Sequence, residues 1–322
     1  MNTYDTAPPA EEGRIILPHQ RAAFERLVEV ATTCFATSRK SIPLAIWTNS
    51  LLIGPTGSGK TFLAQAVADH LGVPFLAISV ADWVLVGSSD RGGMNTWPAI
   101  VRFLQANRRK EGVVIFIDEI HHAFGDCAWE RFLRVELFAL LDLRVPHGLS
   151  AKIDDEIGER TFTPSDLCEI QEAMSNRAMI IGAGAFQDVW EKAETATIGF
   201  HEEEKVAEMP TLTTLTQILP TELTHRFRSE LLILPPLVLA DYEEMLKSMA
   251  PKVPGYLMET FLRLGRARLH EVARLRQGAR FLEELLLDTL LSERANMRYF
   301  KRAAPQLELG LSDLAGGLDA IP

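Results

Sequence analysis

Residues 50–61 read SLLIGPTGSGKT, and this stretch decides the fold. The apolar run from Ser50 to Ile53 predicts a short buried strand, and the glycines after it predict a tight turn. From Lys60 the chain continues as KTFLAQAVADHL, with apolar residues at helical spacing, and Gly72 follows as a helix-terminating glycine. A glycine-rich loop between a strand and a helix is typical of a phosphate-binding loop.

The loop matches the pattern G-x-x-x-x-G-K-[ST], which is typical of nucleoside triphosphate binding. Its glycines let successive backbone N–H groups turn toward phosphate oxygens, and the positive N-terminal end of the next helix faces the same anion. The pattern predicts that Lys60 contacts the β- and γ-phosphates and that Thr61 offers its hydroxyl to Mg²⁺. ATP and Mg²⁺ are therefore the predicted cofactors. The predicted nucleotide contacts are Gly54, Pro55, Thr56, Gly57, Ser58, Gly59, Lys60 and Thr61.

A second apolar run, from Val113 to Ile117, ends in two acidic residues, Asp118 and Glu119. A strand that ends in aspartate brings a carboxylate to the carboxyl edge of a sheet, beside the phosphate-binding loop. We therefore expect Asp118 to hold Mg²⁺ through water, together with Thr61. Glu119 is expected to polarise the water that attacks the γ-phosphate. An acidic cap for the next helix is the weaker alternative, because the run follows a phosphate-binding loop.

Further apolar strands are predicted at 74–80, 178–181 and 231–234. Continuous apolar strands separated by helices predict a parallel sheet covered on both faces, which is the α/β class. After Pro236 the sequence predicts helices only. The predicted parts are a flexible arm at 1–14, an α/β domain at 15–236, a helical domain at 237–303 and a flexible tail at 304–322. Within the α/β domain we expect a largely irregular insertion at about 145–176, with one short helix at 164–175.

Composition excludes several other classes of protein. The chain is 47% hydrophobic and 24% charged, as in an ordinary globular protein. Its net charge of −10 argues against nucleic-acid binding through bulk charge, although a local basic patch stays open. The three cysteines lie far apart and form neither a zinc pattern nor a disulfide framework. No apolar run is long enough to cross a membrane and residues 1–14 do not resemble a signal peptide, so the sequence predicts a cytoplasmic protein.

Taken together, these motifs resemble the AAA+ ATPases, and more closely the ClpX/HslU branch of protein unfoldases. The resemblance implies a P-loop α/β domain followed by a small all-helical lid. It also implies a homo-hexameric ring or spiral in which ATP hydrolysis unfolds or remodels a protein substrate. The motifs that carry it are LLIGPTGSGKT at 51–61, VVIFIDEI at 113–120, MIIGAGAF at 179–186, IGF at 198–200 and QGARFLEELLLDTLL at 277–291.

The resemblance also implies roles for single residues. Arg226, in the sequence THRF, stands where the family places the arginine finger that reaches a neighbouring subunit's γ-phosphate. Arg228 lies two residues further on and is the alternative. Arg280 matches the sensor-2 arginine of the lid, which would contact the nucleotide and couple hydrolysis to lid movement. Ile16 and Leu17 stand where the family packs adenine.

Three features depart from the family's pattern. Residues 182–184 read Gly-Ala-Gly and offer no Asn, Thr or Ser at the usual sensor-1 position. The nearest match to the pore loop is Leu85-Val86-Gly87, with leucine in place of the usual aromatic residue, so we expect a weaker grip on an extended polypeptide. We also expect the family's N-terminal zinc-binding domain to be absent, because the segment before the phosphate-binding loop is short.

A tripeptide later in the chain suggests a peptidase partner, but it has a second explanation. In the unfoldases, a segment equivalent to Ile198-Gly199-Phe200 docks a barrel-shaped, ClpP-like peptidase, and exposed Ile and Phe side chains suit a partner's pocket. The alternative is that ancestry alone explains the tripeptide. A second class of function also stays open, namely an ATP-switched assembly factor or nucleic-acid-associated regulator of a mobile-element or defence system. The altered pore loop favours this class, and the net charge disfavours its nucleic-acid form.

Overall fold

A computed structural model of the chain describes residues 16–36, 48–87, 96–124, 128–146, 163–187, 190, 210, 213, 215, 217, 219–227 and 230–294. The chain divides into two compact units, the first up to Pro236 and the second from Leu237. The predicted arm at 1–14 and tail at 304–322 lie outside the described residues, as do residues 295–303 of the predicted helical domain.

The first unit is built on a five-stranded parallel sheet, with the strand order β2-β3-β4-β1-β5. This arrangement confirms the predicted α/β class. The strands are short and apolar because helices cover both faces of the sheet. Their bounds are β1 (Ser50–Ile53), β2 (Phe75–Ser79), β3 (Val113–Asp118), β4 (Ala178–Gly184) and β5 (Glu230–Ile233).

Two helical layers pack on the sheet because successive side chains point to opposite faces. Leu52 and Phe116 face the layer formed by α1 (Arg21–Ala36) and α2 (Lys60–Leu71). Their neighbours Leu51 and Ile115 face the other layer. That second layer contains α3 (Val80–Gly87), α4 (Thr96–Ala106), α5 (Ala128–Leu141) and α6 (Pro164–Arg177).

Helix α6 corresponds to the helix that the sequence predicts at 164–175, within the insertion predicted at about 145–176. The Thr163 hydroxyl accepts a hydrogen bond from the Asp166 N–H at 3.3 Å, and the Thr163 N–H donates to the Asp166 carboxylate at 3.0 Å. This reciprocal capping starts the helix. At its last residue, the Arg177 guanidinium donates to three backbone carbonyls of the turn before β3, at 2.8 to 3.1 Å. Ile170, Ala173 and Met174 of this helix are buried in the core, and residues 147–162 lie outside the described residues.

The second unit contains helices and turns in its described residues, 237–294. Its main helices are α7 (Leu239–Met249), α8 (Gly255–Leu275) and α9, over residues 281–294. A Cβ at Gly265 would lie 2.5 Å from a methyl group of Leu246 and 3.0 Å from one of Leu285, so this glycine lets the three helices approach closely. The all-helical unit after the sheet domain confirms that part of the predicted fold. None of the described helices has the length and hydropathy needed to span a membrane.

Candidate functional site

The carboxyl ends of the strands bring the predicted site residues to one edge of the sheet. β1 runs directly into the glycine-rich loop, and β3 ends at Asp118. Ser79, the last residue of β2, pairs in register with Asp118. Strand β4 lies between β3 and β1 and ends at Gly184, whose carbonyl accepts a hydrogen bond from the Gly54 N–H at 3.3 Å. Loop and acidic residues thus share one edge, as ligand sites of parallel sheets do.

Glycines shape the loop into a cradle. Gly57 and Gly59 have φ angles of 83° and 82°, a region that residues with side chains rarely adopt. A Cβ at Gly54 would lie 2.8 Å from the Ser58 hydroxyl, and one at Gly59 would overlap the side-chain amide of Gln20. The Ser58 hydroxyl is buried and has no hydrogen-bond partner among the described residues. Because buried hydroxyl groups are normally paired, this one fits a site that a phosphate group completes.

Lys60 brings a positive charge into the cradle. Its ammonium group donates to the carbonyl oxygens of Gly54 at 2.8 Å and Pro55 at 3.0 Å. Burial lowers the pKa of Lys60, whereas the negative charges of Asp118 and Glu119 raise it. An ammonium group held by neutral carbonyl oxygens inside a glycine-rich loop is well placed to exchange them for phosphate oxygens.

Thr61 and Asp118 meet at the first turn of α2. The Thr61 hydroxyl donates to Asp118 Oδ2 at 2.7 Å, and Asp118 Oδ1 accepts from the Glu119 N–H at 2.8 Å. Hydroxyl and carboxylate oxygens are ligands that suit Mg²⁺. The two residues predicted to hold Mg²⁺ are therefore adjacent, and they fit that ion. When bound, Mg²⁺ would stabilise negative charge on phosphate oxygens.

Glu119 is held by a residue that the sequence analysis missed. The φ angle of Glu119, 55°, is unusual for a residue with a long side chain and indicates local strain. Its carboxylate accepts a hydrogen bond from the Ser79 hydroxyl at 3.2 Å, and this hydroxyl in turn accepts from the Ala81 N–H at 3.1 Å. The available signal was the position of Ser79 at the end of an apolar strand, where a polar side chain reaches the same sheet edge as Asp118.

Gln20, a second missed residue, joins the segment before α1 to the loop. Its side chain is 2% exposed, accepts from the Leu17 N–H at 3.3 Å and donates to the Ser58 carbonyl at 3.1 Å. Leu17 is buried and Ile16 is partly buried against the α1–α2 layer. The residues predicted to pack adenine therefore lie on a segment that Gln20 bonds to the phosphate-binding loop. The available signal was a glutamine directly before α1, at helical spacing from the buried residues Ala23 and Leu27 of that helix.

Replacing Gln20 with alanine is expected to weaken ATP binding. The change removes the side-chain partner of the Leu17 N–H and one of two side-chain contacts of the Ser58 carbonyl, the other being His19 Nε2 at 3.2 Å. An unpaired buried group costs about 1–3 kcal/mol. We expect the Kd of a non-hydrolysable ATP analogue to rise about tenfold in titration calorimetry, since about 1.4 kcal/mol corresponds to that factor. Gln65→Ala is the matched control, because the Gln65 side chain bonds Asp69 on an exposed face of α2. Equal affinities of the Gln20 and Gln65 variants would contradict a role for Gln20.

The predicted arginine finger is bound within its own chain. Arg226 Nε and Nη2 donate to the two carboxylate oxygens of Asp142, at 2.9 and 3.3 Å. The guanidinium carbon lies 3.9 Å from the centre of the Phe138 ring, and Nη1 donates to the Glu222 carbonyl at 2.9 Å. A contact with a neighbouring subunit therefore requires this ion pair to open. The alternative, Arg228, lies outside the described residues.

In the second unit, Arg280 ends a short 3₁₀ turn, Gly278–Arg280. The Gly278 N–H donates to the Tyr242 hydroxyl at 3.0 Å, and the Tyr242 and Phe281 rings meet edge to face at 5.6 Å. Burial is the main cause that raises the pKa of Tyr242, while the hydrogen bond from Gly278 lowers it. These contacts fix the turn, and Arg280 itself is exposed within this unit.

The structure corrects one local prediction. Leu85, Val86 and Gly87 were expected in a loop, but they form the end of α3. Val80 and Trp83, three residues apart, bury one face of the first turn of this helix in the core. Residues 88–95, which continue this segment, and Ile198-Gly199-Phe200 lie outside the described residues.

Residues 50–141 match the sequence profile of the family described as ATPase family associated with various cellular activities (AAA). The matched segment contains the phosphate-binding loop, both acidic residues and the helices between them. It lies in the five-stranded parallel α/β unit, which the C-terminal helices follow. This part of the chain is an AAA ATPase domain.

The chain is similar over part of its length to curated proteins of two groups. The ATP-dependent zinc metalloprotease FtsH of Acidimicrobium ferrooxidans is 45% identical over 71 residues, which are 22% of this chain and 10% of that protein. The ATP-dependent Clp protease ATP-binding subunit ClpX of Treponema denticola is 30% identical over 187 residues, 54% of this chain and 43% of that protein. The chain thus spans less than half of either relative. A crystal structure of the FIGL-1 AAA domain matches with a TM-score of 0.41 at 18% identity, over 77% of this chain and 63% of that one.

Proposed function

We propose that this protein hydrolyses ATP and uses the energy to unfold or remodel a protein substrate. The observation that carries the ATPase part is the convergence of three groups at one sheet edge. These are the Lys60 ammonium inside the loop, the Thr61–Asp118 pair and the Glu119 carboxylate. Two curated relatives are named as an ATP-dependent protease and as the ATP-binding subunit of one, which supports a protein as the substrate.

Each group has a distinct part in the proposed reaction. The loop N–H groups and Lys60 bind the phosphates, and Thr61 with Asp118 holds Mg²⁺. Glu119 orients a water molecule in line with the γ-phosphate and accepts its proton as the water oxygen bonds to phosphorus. The Ser79 hydroxyl holds the Glu119 carboxylate in place before nucleotide binds. Positioning and electrostatic stabilisation thus account for most of the catalysis.

A neighbouring copy of the chain completes the proposed site. Arg226 would stabilise charge on the γ-phosphate bound by the next subunit, in a homo-hexameric ring or spiral. This contact requires the Arg226–Asp142 pair to open, and the two side chains keep 23% and 21% of their surface exposed. A triphosphate carries more negative charge than one carboxylate and can compete for the guanidinium group. In the second unit, Arg280 is the proposed contact to the subunit's own nucleotide.

One observation favours the second class of function, an ATP-switched assembly factor. Residues 85–87 lie in a helix and present leucine where the unfoldases have an aromatic residue. A ring with a weak grip on polypeptide could act as a scaffold whose shape depends on the bound nucleotide. Docking of a ClpP-like peptidase at Ile198-Gly199-Phe200 belongs to the unfoldase proposal alone.

A trapping experiment tests the two classes against each other. Tagged Glu119→Gln, which should bind ATP without hydrolysing it, is expressed in the native host and purified in ATP. Lys60→Ala, which should not bind ATP, is the control. We expect many different polypeptides with the Glu119→Gln variant, identified by mass spectrometry, and none of them with Lys60→Ala. A single stoichiometric partner or nucleic acid in place of many clients would overturn the unfoldase proposal in favour of the switch.

A further inference from the structure

His121 lies two residues after Glu119, in the 3₁₀ helix Ile120–Phe124. Its ring lies beside the end of β4, whose Gly184 carbonyl accepts a hydrogen bond from the Gly54 N–H of the phosphate-binding loop. Burial and the neighbouring His122 ring lower the pKa of His121, the charge of Lys60 lowers it further, and the carboxylates of Asp118 and Glu119 raise it. The three charged groups of the proposed ATPase site therefore all act on this imidazole.

One nitrogen of this ring lacks a partner. The Nδ1 atom of His121 is buried and makes no hydrogen bond within the described part of the chain. Leaving a buried polar atom unpaired is unfavourable, so such an atom in a native site indicates a missing ligand, ion or water. No group of three His, Cys, Asp or Glu side chains suited to a metal ion occurs among the described residues.

The ring of His121 also lies beside the end of β4. Its centroid is 5.8 Å from that of Phe186, which follows the strand and has a φ angle of 44°. Residues 182–185 read Gly-Ala-Gly-Ala, so the strand end itself carries no polar side chain toward the site. His121 thus brings a polar side chain next to this strand end.

We infer that His121 donates a hydrogen bond to the terminal phosphate of bound ATP and so makes the site prefer ATP to ADP. This inference rests on the proposed function, because it requires nucleotide in the loop. A neutral imidazole has one N–H donor, and the choice of tautomer lets either ring nitrogen serve. ADP lacks the γ-phosphate, so the contact is available to ATP alone.

Loss of this contact should change nucleotide preference rather than binding in general. A hydrogen bond to a charged group corresponds to a factor of about ten to one hundred in affinity. For His121→Phe, which keeps an aromatic ring beside Phe186, we expect the Kd of ATPγS with Mg²⁺ to rise by about that factor. The Kd of ADP with Mg²⁺ should stay within about twofold. His121→Asn keeps a side-chain N–H donor and should retain part of the preference.

The experiment measures both dissociation constants by titration calorimetry on the full chain. His122→Phe is the matched control, since His122 is exposed and its ring lies 4.1 Å from that of His121. A thermal melt checks that each variant is folded, and His121→Ala replaces the phenylalanine variant if the latter does not fold. An unchanged ratio of the two constants in a folded His121 variant would overturn the inference. A wild-type chain that binds neither nucleotide would refute the proposed function instead.

Discussion

Replacing Glu119 with glutamine is expected to lower kcat for ATP hydrolysis by about 100- to 10,000-fold, the range attributed to a positioned general base. Glutamine has nearly the same shape, but it cannot accept a proton from the attacking water. The amide can still accept a hydrogen bond from the Ser79 hydroxyl, which lies 3.2 Å from the carboxylate. Neither the phosphate-binding loop nor the Thr61–Asp118 pair involves this carboxylate, so ATP affinity should change little.

Phosphate release at saturating ATP, together with calorimetric ATP binding, measures both parts of this prediction. Glu111→Gln is the matched control, because Glu111 is an exposed glutamate just before the opposite end of β3. The control should keep wild-type kcat. A loss of less than about threefold in Glu119→Gln would remove Glu119 from the proposed mechanism, since general-base catalysis contributes far more than that.

Replacing Phe227 with alanine is expected to destabilise the first unit by about 3–5 kcal/mol, the usual cost of removing a buried phenylalanine ring. The Phe227 side chain is fully buried. It fills the space above Gly182 of β4, where an added Cβ would lie 2.7 Å from the Phe227 ring and 3.2 Å from a methyl group of Leu51. The glycine has no side chain to close the cavity that the ring would leave.

Urea unfolding followed by tryptophan fluorescence measures this effect. All five tryptophans precede Pro236, so their fluorescence reports on the first unit. Tyr256→Ala is the control, because that ring is 73% exposed and surface changes usually stay within about 0.5 kcal/mol. Gly182→Ala should be destabilising alone and less so in the Phe227→Ala background, since the ring that it meets is then gone. Strict additivity of the two changes would contradict the direct contact.

The sequence by itself determined the sheet, the phosphate-binding loop and the two acidic residues of β3. These features are local: a strand is recognised by its apolar run, a turn by its glycines and a helix by its spacing. Lys60 and Thr61 follow from the same short pattern. The segment 85–87 shows where reasoning from resemblance fails, because the family-based expectation of a loop conflicts with the observed helix, which ends at Gly87.

Tertiary structure alone decided how the site residues are held. Gln20 and Ser58 are 38 residues apart in the chain, Ser79 and Glu119 are 40 apart, and Arg226 and Asp142 are 84 apart. No short pattern encodes such pairs, because each contact exists only after the sheet and its helices have packed together. The buried Nδ1 of His121 has the same origin, since both its burial and its closeness to Phe186 follow from the packing of β3 beside β4. Local sequence thus determines which chemical groups are present, and the long-range pairing of the strands decides which of them meet.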